Sequence, residues 1–248
     1  MRVVVLGGLG GWPTAEQACS GFLVEHQGFR LLIDPGYATL QPLLARLPAS
    51  AVDAVYVSHG HPDHCADLQP LLRARVLPDR PAPALPVYAP GGSLDPLLAI
   101  DESGLVDTAY ELHAFAPGDT FDVGPFTVRT WSLPHWVPNA GARFSADGTV
   151  LAYTGDTGPS PALVELARDA DLLIADATYV DEIPERNVGF LSSATEVGRY
   201  ATAAGTRAVL LTHLWPGTAP DAAVAAARRA YTGWVGVARP GLLVDLPA

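Results

Sequence analysis

Three histidines and an aspartate fall within six residues of this chain, in Ser58-His59-Gly60-His61-Pro62-Asp63-His64, directly after the apolar run Ala54–Val57. No other feature restricts its fold so tightly. Imidazoles crowded into one loop repel one another when protonated and waste hydrogen-bonding capacity when buried neutral. A divalent cation resolves the conflict, because neutral imidazole and carboxylate are good ligands for zinc and its neighbours. Gly60 and Pro62 shape the loop so that adjacent side chains converge. One loop cannot complete two coordination spheres, so the fold must bring other strand ends to this one.

The rest of the chain supplies candidates at such ends. His135 follows the run Thr127–Trp131, Asp156 follows Val150–Tyr153, and His213 follows Ala208–Leu211. Each is a metal-type residue where an apolar run stops. His26 and His113 lie inside strand-like runs and are read as structural. Further strands are expected at Val3–Leu6, Gly21–Glu25, Arg30–Ile33, Pro86–Tyr88, Leu172–Ile174 and Leu242–Val244. Helical spacing of apolar residues marks Thr39–Leu47, Asp67–Arg75, Pro161–Arg168, Thr195–Ala204 and Ala219–Tyr231. Ser160 is the expected N-cap of the third helix, with Pro161 near its start.

Strands come in hairpin-like succession first and in strand–helix–strand units later. That pattern fits an α/β (α+β) chain built as a four-layer αββα sandwich better than one doubly wound sheet. No linker divides it, so residues 1–248 are expected to form a single domain. The glycines at 7, 8, 10 and 11 follow a strand but lead into Trp12-Pro13 rather than a helix, which argues against a dinucleotide-binding turn. A turn carrying backbone close to the mouth of the site is expected instead.

Composition limits the partners. The net charge is −11 and every basic residue is arginine. A chain this acidic has no general field for a long polyanion, although bound divalent metals would reverse the sign locally. No apolar run reaches the ~20 residues of a membrane span, and the start Met1–Gly8 lacks a secretory pattern. A cytoplasmic location, no membrane and no long nucleic acid are therefore expected. Cys19 and Cys65 are expected to be free, partly buried thiols.

The ordered set His-x-His-x-Asp-His, a distant His, Gly155-Asp156-Thr157 and Leu211-Thr212-His213 resembles the metallo-β-lactamase superfamily. Within it, the chain is most similar to the branch of ribonuclease Z and related cyclic-nucleotide phosphodiesterases. The similarity also covers Leu31–Gly36 and Ala170–Ile174. The resemblance implies a first metal held by His59, His61 and His135, a second held by Asp63, His64 and His213, and Asp156 bridging both. It implies a hydroxide held between the metals as nucleophile. Two divalent ions are expected, zinc first, with manganese or iron as alternatives. Asp34 resembles a family position beside the site. Asp63 and Asp176 are the candidate catalytic carboxylates.

The family pattern also breaks. Ribonuclease Z enzymes carry a glutamate in a His-Glu-Ala-Thr-like segment and a histidine before the next helix. Here Asp176 stands at the glutamate position, and Phe190 or Leu191 at the histidine position. No basic, glycine-rich insertion is present to grip transfer RNA. Loss of a general acid commonly costs ~10²–10⁴-fold in rate unless the leaving group is good. Phe190, Trp136 and Trp215 are the candidate substrate-binding aromatics.

The expected function is a dinuclear metal-dependent hydrolase acting on a small phosphodiester, such as a cyclic nucleotide. A lactone or thioester hydrolase is the alternative, since carbonyl substrates need no phosphate clamp. Ribonuclease Z-like RNA processing and a non-catalytic metal-binding protein rank below these. The partner is a small molecule, and the resemblance leaves room for a homodimer.

Overall fold

The structure, a computed structural model, describes residues 1–101 and 104–247. One sheet holds β1 (Arg2–Gly7), β2 (Gly21–His26), β3 (Phe29–Ile33), β4 (Ala54–Tyr56), β5 (Leu85–Pro90), β6 (Tyr110–Phe115) and β14 (Leu243–Asp245). Its order is β14-β1-β2-β3-β4-β5-β6. The other holds β7 (Thr120–Val123), β8 (Phe126–Leu133), β9 (Asn139–Ala146), β10 (Thr149–Tyr153), β11 (Leu172–Asp176), β12 (Ala208–Thr212) and β13 (Trp234–Val237). Its order is β13-β12-β11-β10-β9-β8-β7.

The strands are apolar on both faces because both faces are covered. In β1, Val3 and Val5 enter the core between the sheets, while Val4 and Leu6 enter a second core on the outer side. That outer core lies under α1 (Leu40–Leu44), α3 (Leu68–Val76) and α4 (Asp95–Leu98). In β12, Leu210 points between the sheets, and Val209 and Leu211 point outward. There α5 (Ala162–Ala167), α6 (Ala194–Ala204) and α7 (Pro220–Ala227) complete a third core. The result is the expected αββα sandwich.

Local chemistry places the helices. Ser193 caps α6 in a capping box with Glu196, and Gly205 closes it at φ 69°. At α5 the first helical residue is Ala162, and Ser160 Oγ accepts a hydrogen bond from its amide at 3.2 Å. The expected helix Ala219–Tyr231 is regular only over Pro220–Ala227, and Thr39–Leu47 only over Leu40–Leu44.

The largest departure from the sequence reading is β9, which lies between β8 and β10 in the middle of its sheet. Its sequence, Asn139-Ala-Gly-Ala-Arg-Phe-Ser-Ala, is rich in small residues with poor strand propensity. Packing explains them: a Cβ on Gly141 would come within 2.6 Å of both Leu133 and Leu166 side chains. β7 and β13 were also absent from the expected strands, and β6 was marked only as the strand-like run around His113.

Strand direction positions the site. β3, β4, β5 and β6 run parallel, as do β10, β11, β12 and β13. β8 and β10 both run antiparallel to β9, so they share a direction. β1 and β3 share one through β2. The segments after β1, β3, β4, β8, β10, β11 and β12 all leave carboxyl ends of strands. Among the described residues no helix is long and apolar enough to cross a membrane.

Candidate metal centre

After β4 the chain passes through Ser58, His59 and Gly60 and enters a single helical turn, α2 (Pro62–Cys65). His61 is its N-cap in extended conformation, and Pro62 occupies a first-turn position that needs no amide donor. The turn swings Asp63 and His64 back toward His59. His135 arrives two residues after β8, Asp156 three residues after β10, and His213 directly after β12.

These seven side chains fall into two groups whose ligand atoms lie within 4.8 Å of one another. One is His59, His61, His135 and Asp156; the other is Asp63, His64, Asp156 and His213. Asp156 belongs to both. Its Oδ2 lies 3.8 Å from His59 Nε2, 3.7 Å from His135 Nε2 and 3.0 Å from His213 Nε2. Its Oδ1 lies 3.1 Å from His64 Nε2. Those last two atoms are buried, yet neither makes an aligned hydrogen bond. Buried polar atoms left without partners are costly, and here they face a common point with donors suited to zinc. A pair of divalent ions fits this arrangement.

Charge points the same way. Burial lowers the pKa of His59, His61 and His135, keeping them neutral and ready to coordinate. Burial opposes protonation of His64 and His213 too, but the surrounding carboxylates, Asp156 foremost with Asp63, together outweigh it and push His213 up to about 10. His64 and His213 in turn hold Asp63 and Asp156 below the usual carboxylate range, against burial. Without metal, protonated imidazoles supply the positive charge that cations would bring.

A second layer holds the ligands. Asp34 Oδ2 accepts from His64 Nδ1 at 2.7 Å, Tyr153 Oη at 2.6 Å and Ser58 Oγ at 2.6 Å, and Oδ1 accepts from Ser58 N. Asp34 also lies within reach of His59 and His64 as a third potential metal group, but its oxygens are already engaged. The glycine-rich turn approaches as expected: Gly11 N donates to Asp63 Oδ2 at 2.7 Å. A Cβ on Gly10 would lie 2.7 Å from the His213 ring. His213 itself has φ 61°, a conformation rare for a side-chain-bearing residue, and its amide donates to Gly8 O.

Asp176 is completely buried and does not line the cavity. It accepts from the amides of Thr157, Thr178 and Ser192 and from Thr178 Oγ1, and burial raises its pKa to about 6. Thr178 Oγ1 also meets His213 Nδ1 at 2.7 Å. This position supports His213 from behind and has no access to a leaving group.

The cavity over the cluster measures about 320 Å³. Trp136, Trp215 and Leu191 line it. Phe190 does not; its ring stacks on Trp136 at 5.2 Å and its carbonyl accepts from His135 Nδ1 at 2.9 Å. Trp12 stacks on Trp215 at 5.3 Å. Arg186 and Asn187 also line the cavity, and the sequence reading missed both. They belong to a short 3₁₀ turn, Glu185–Asn187, which carries no motif. His26 and His113 lie elsewhere, one bonded to Asp147 and one stacked on Tyr88. Cys19 and Cys65 are free and buried, and burial raises each thiol to about 12.

Comparison with known proteins agrees with this geometry. A family profile described as the β-lactamase superfamily domain matches residues 29–214. The probable metallo-hydrolase YhfI of Bacillus subtilis is 30% identical over 98% of this chain and 99% of its own. Its crystal structure superposes with a TM-score of 0.89, covering 98% of both chains. Ribonuclease Z of Haloferax volcanii is 29% identical over the whole chain and 95% of its own length. A diphosphatase from the PhnP family shares the fold alone, with a TM-score of 0.75 at 19% identity over 99% of this chain and 98% of that one. With its ligand set assembled at the strand ends and this likeness along its whole length, the chain belongs to the β-lactamase superfamily and is one of its metallo-hydrolases.

Proposed function

We propose that this metallo-hydrolase cleaves a small phosphodiester at a two-zinc centre. The observation that carries the reading is Arg186, the one arginine lining the metal cavity among the described residues. Arg186 lies in a segment without a motif, so the sequence alone did not place it at the site. A guanidinium beside a metal pair suits a phosphate, whose charge and fork geometry it matches. Relatives named for phosphoester chemistry, such as ribonuclease Z, support the same reaction class.

His59, His61 and His135 would hold one ion, Asp63, His64 and His213 the other, and Asp156 both. Bound there, the ions would supply Lewis acidity and lower the pKa of water toward neutrality. Arg186 neutralises and orients the phosphate. Trp136, Trp215 and Leu191 form an apolar wall for the organic part of the ester, as a nucleoside would offer. The cavity and the net charge of −11 favour a small substrate over a long RNA.

One observation favours the second reading, acyl hydrolysis. Leu191 offers no proton to a poor leaving group, and Asp176 is sealed away from the cavity. The deciding experiment is a paired turnover assay on metal-quantified protein. A chromogenic phosphodiester and cyclic AMP are set against a lactone and thioester panel, with Asp63→Ala as control. Phosphodiester cleavage abolished by that substitution is the expected result. Acyl cleavage without phosphodiester cleavage would overturn the proposal.

A further inference from the structure

A second cavity, of about 440 Å³, lies on the outer face of the β8–β9 sheet and shares no residue with the metal cavity. Thr127, Arg129 and Trp131 alternate along one face of β8, while Phe126 and Val128 point into the core between the sheets. In the register, Arg129 sits directly opposite Arg143 of β9. Like charges placed opposite one another on adjacent strands are unfavourable. The structure adds a third. Arg143 Nη1 donates to the carbonyls of Leu166 at 3.3 Å and Arg168 at 2.5 Å, at the end of α5. That bond fixes Arg168 beside the pair, and its side chain lines the same cavity.

Three guanidiniums thus converge in a chain of net charge −11. Among the described residues none of them makes an ion pair. Glu165 lines the cavity without an ion pair to any of them; Asp169 and Asp171 act on Arg143 only through space, and Asp171 is paired with Arg207 at 2.8 Å. The Arg129 guanidinium carbon sits over the Trp131 ring, 4.6 Å from its centroid, a cation–π contact. Arg143 is half-buried and uses only Nη1, leaving its other donors free. Thr120, Thr127 and Ser145 add hydroxyls.

We propose that this arginine-lined cavity is a second binding site, for a small phosphate-bearing anion, separate from the metal centre. Guanidinium forks match phosphate oxygens in pairs, and an anion between Arg129, Arg143 and Arg168 would offset their mutual repulsion. The cavity has room for an attached organic group as well as the phosphate. The proposal is independent of the reaction at the metal centre.

The test is calorimetric titration of ADP into the metal-loaded protein at constant ionic strength, repeated with Arg129→Ser/Arg168→Ser and with Arg143→Lys. Arg129 and Arg168 are exposed, so the double variant should keep its fold and its turnover at the metal centre. Affinity is expected to fall at least about tenfold in the double variant, and less in Arg143→Lys, which keeps charge but loses the fork. Competition by inorganic phosphate would assign the site to the phosphate group alone; its failure to compete would assign it to the intact ester. Unchanged affinity in the double variant, or no ADP binding by the wild type, would overturn the proposal. So would a wild-type dimer in sedimentation that the double variant breaks without any ADP binding, since the patch would then be a contact between copies. Should the double variant misfold, Arg168→Ser alone carries the comparison.

Discussion

Asp34 has φ 47°, yet accepts hydrogen bonds from His64, Tyr153 and both donors of Ser58. The strained backbone is held because these bonds fix it, and they fix the His64 tautomer in turn. Asp34→Asn should keep the size but lose acceptor capacity, and metal affinity should fall about 10–100-fold. A competition titration with a chelating dye checks this; unchanged affinity would remove Asp34 from the site. Asp156→Ala should lose metal and turnover together, and a variant with two metals per chain and full turnover would refute the shared-ligand role. Protons matter as well. In the metal-free chain His64 is held protonated by Asp156 and Asp63, and His213 has a pKa of about 10. Cations must displace those protons, so apparent metal affinity should fall as pH falls, with about two protons released per chain near neutral pH. Calorimetry in two buffers of different ionisation enthalpy counts them. No release would contradict the proton-for-metal exchange.

The segment between β11 and α6 decides which side chain faces the metal cavity at the position where the family resemblance implies a histidine. The sequence left the missing histidine at Phe190 or Leu191. The structure turns Leu191 to the cavity and Phe190 onto Trp136, with the Phe190 carbonyl bonded to His135. Leu191→His should therefore raise phosphodiester turnover at least about tenfold, whereas Phe190→His should not. Steady-state kinetics at equal metal occupancy would show it, and the reverse pattern would reassign the position. At the same scale, β9 escaped the sequence reading because its glycine is chosen by contact with Leu133 and α5, and its alanines by the core between the sheets, rather than by strand propensity. β12 was plain, because every face of Val209–Leu211 is buried and apolar.

Across the whole molecule, the first sheet contributes His59, His61, Asp63 and His64, and the second contributes His135, Asp156 and His213. Two cations would tie the sheets together at one edge. Cross-sheet bonds from Tyr56 Oη to Ala140 O and from Tyr153 Oη to Asp34 span the same gap. A chelator should therefore lower the melting temperature by roughly 5 °C or more, because ligands that bind only the folded chain stabilise it. Scanning calorimetry of metal-loaded and stripped protein tests this; equal melting temperatures would mean the metals bear no part of the sheet contact.

The sequence by itself determined the fold class and picked out the seven His and Asp residues that the structure gathers into one cluster. Imidazoles crowded after one strand demand a cation, and apolar runs ending in His or Asp announce where the rest must come from. Other features depended on tertiary structure alone. Arg186 reaches the cavity because a motif-free turn happens to fold over it. Asp176 is sealed behind His213 by Thr178 two residues on and by the amides of Thr157 and Ser192, which the fold brings from other segments. Arg129, Arg143 and Arg168 become neighbours only through strand register and one helix-end hydrogen bond. Local patterning records burial and ligand type, but which side chains share a cavity is set by contacts between distant segments, and these leave no periodic trace.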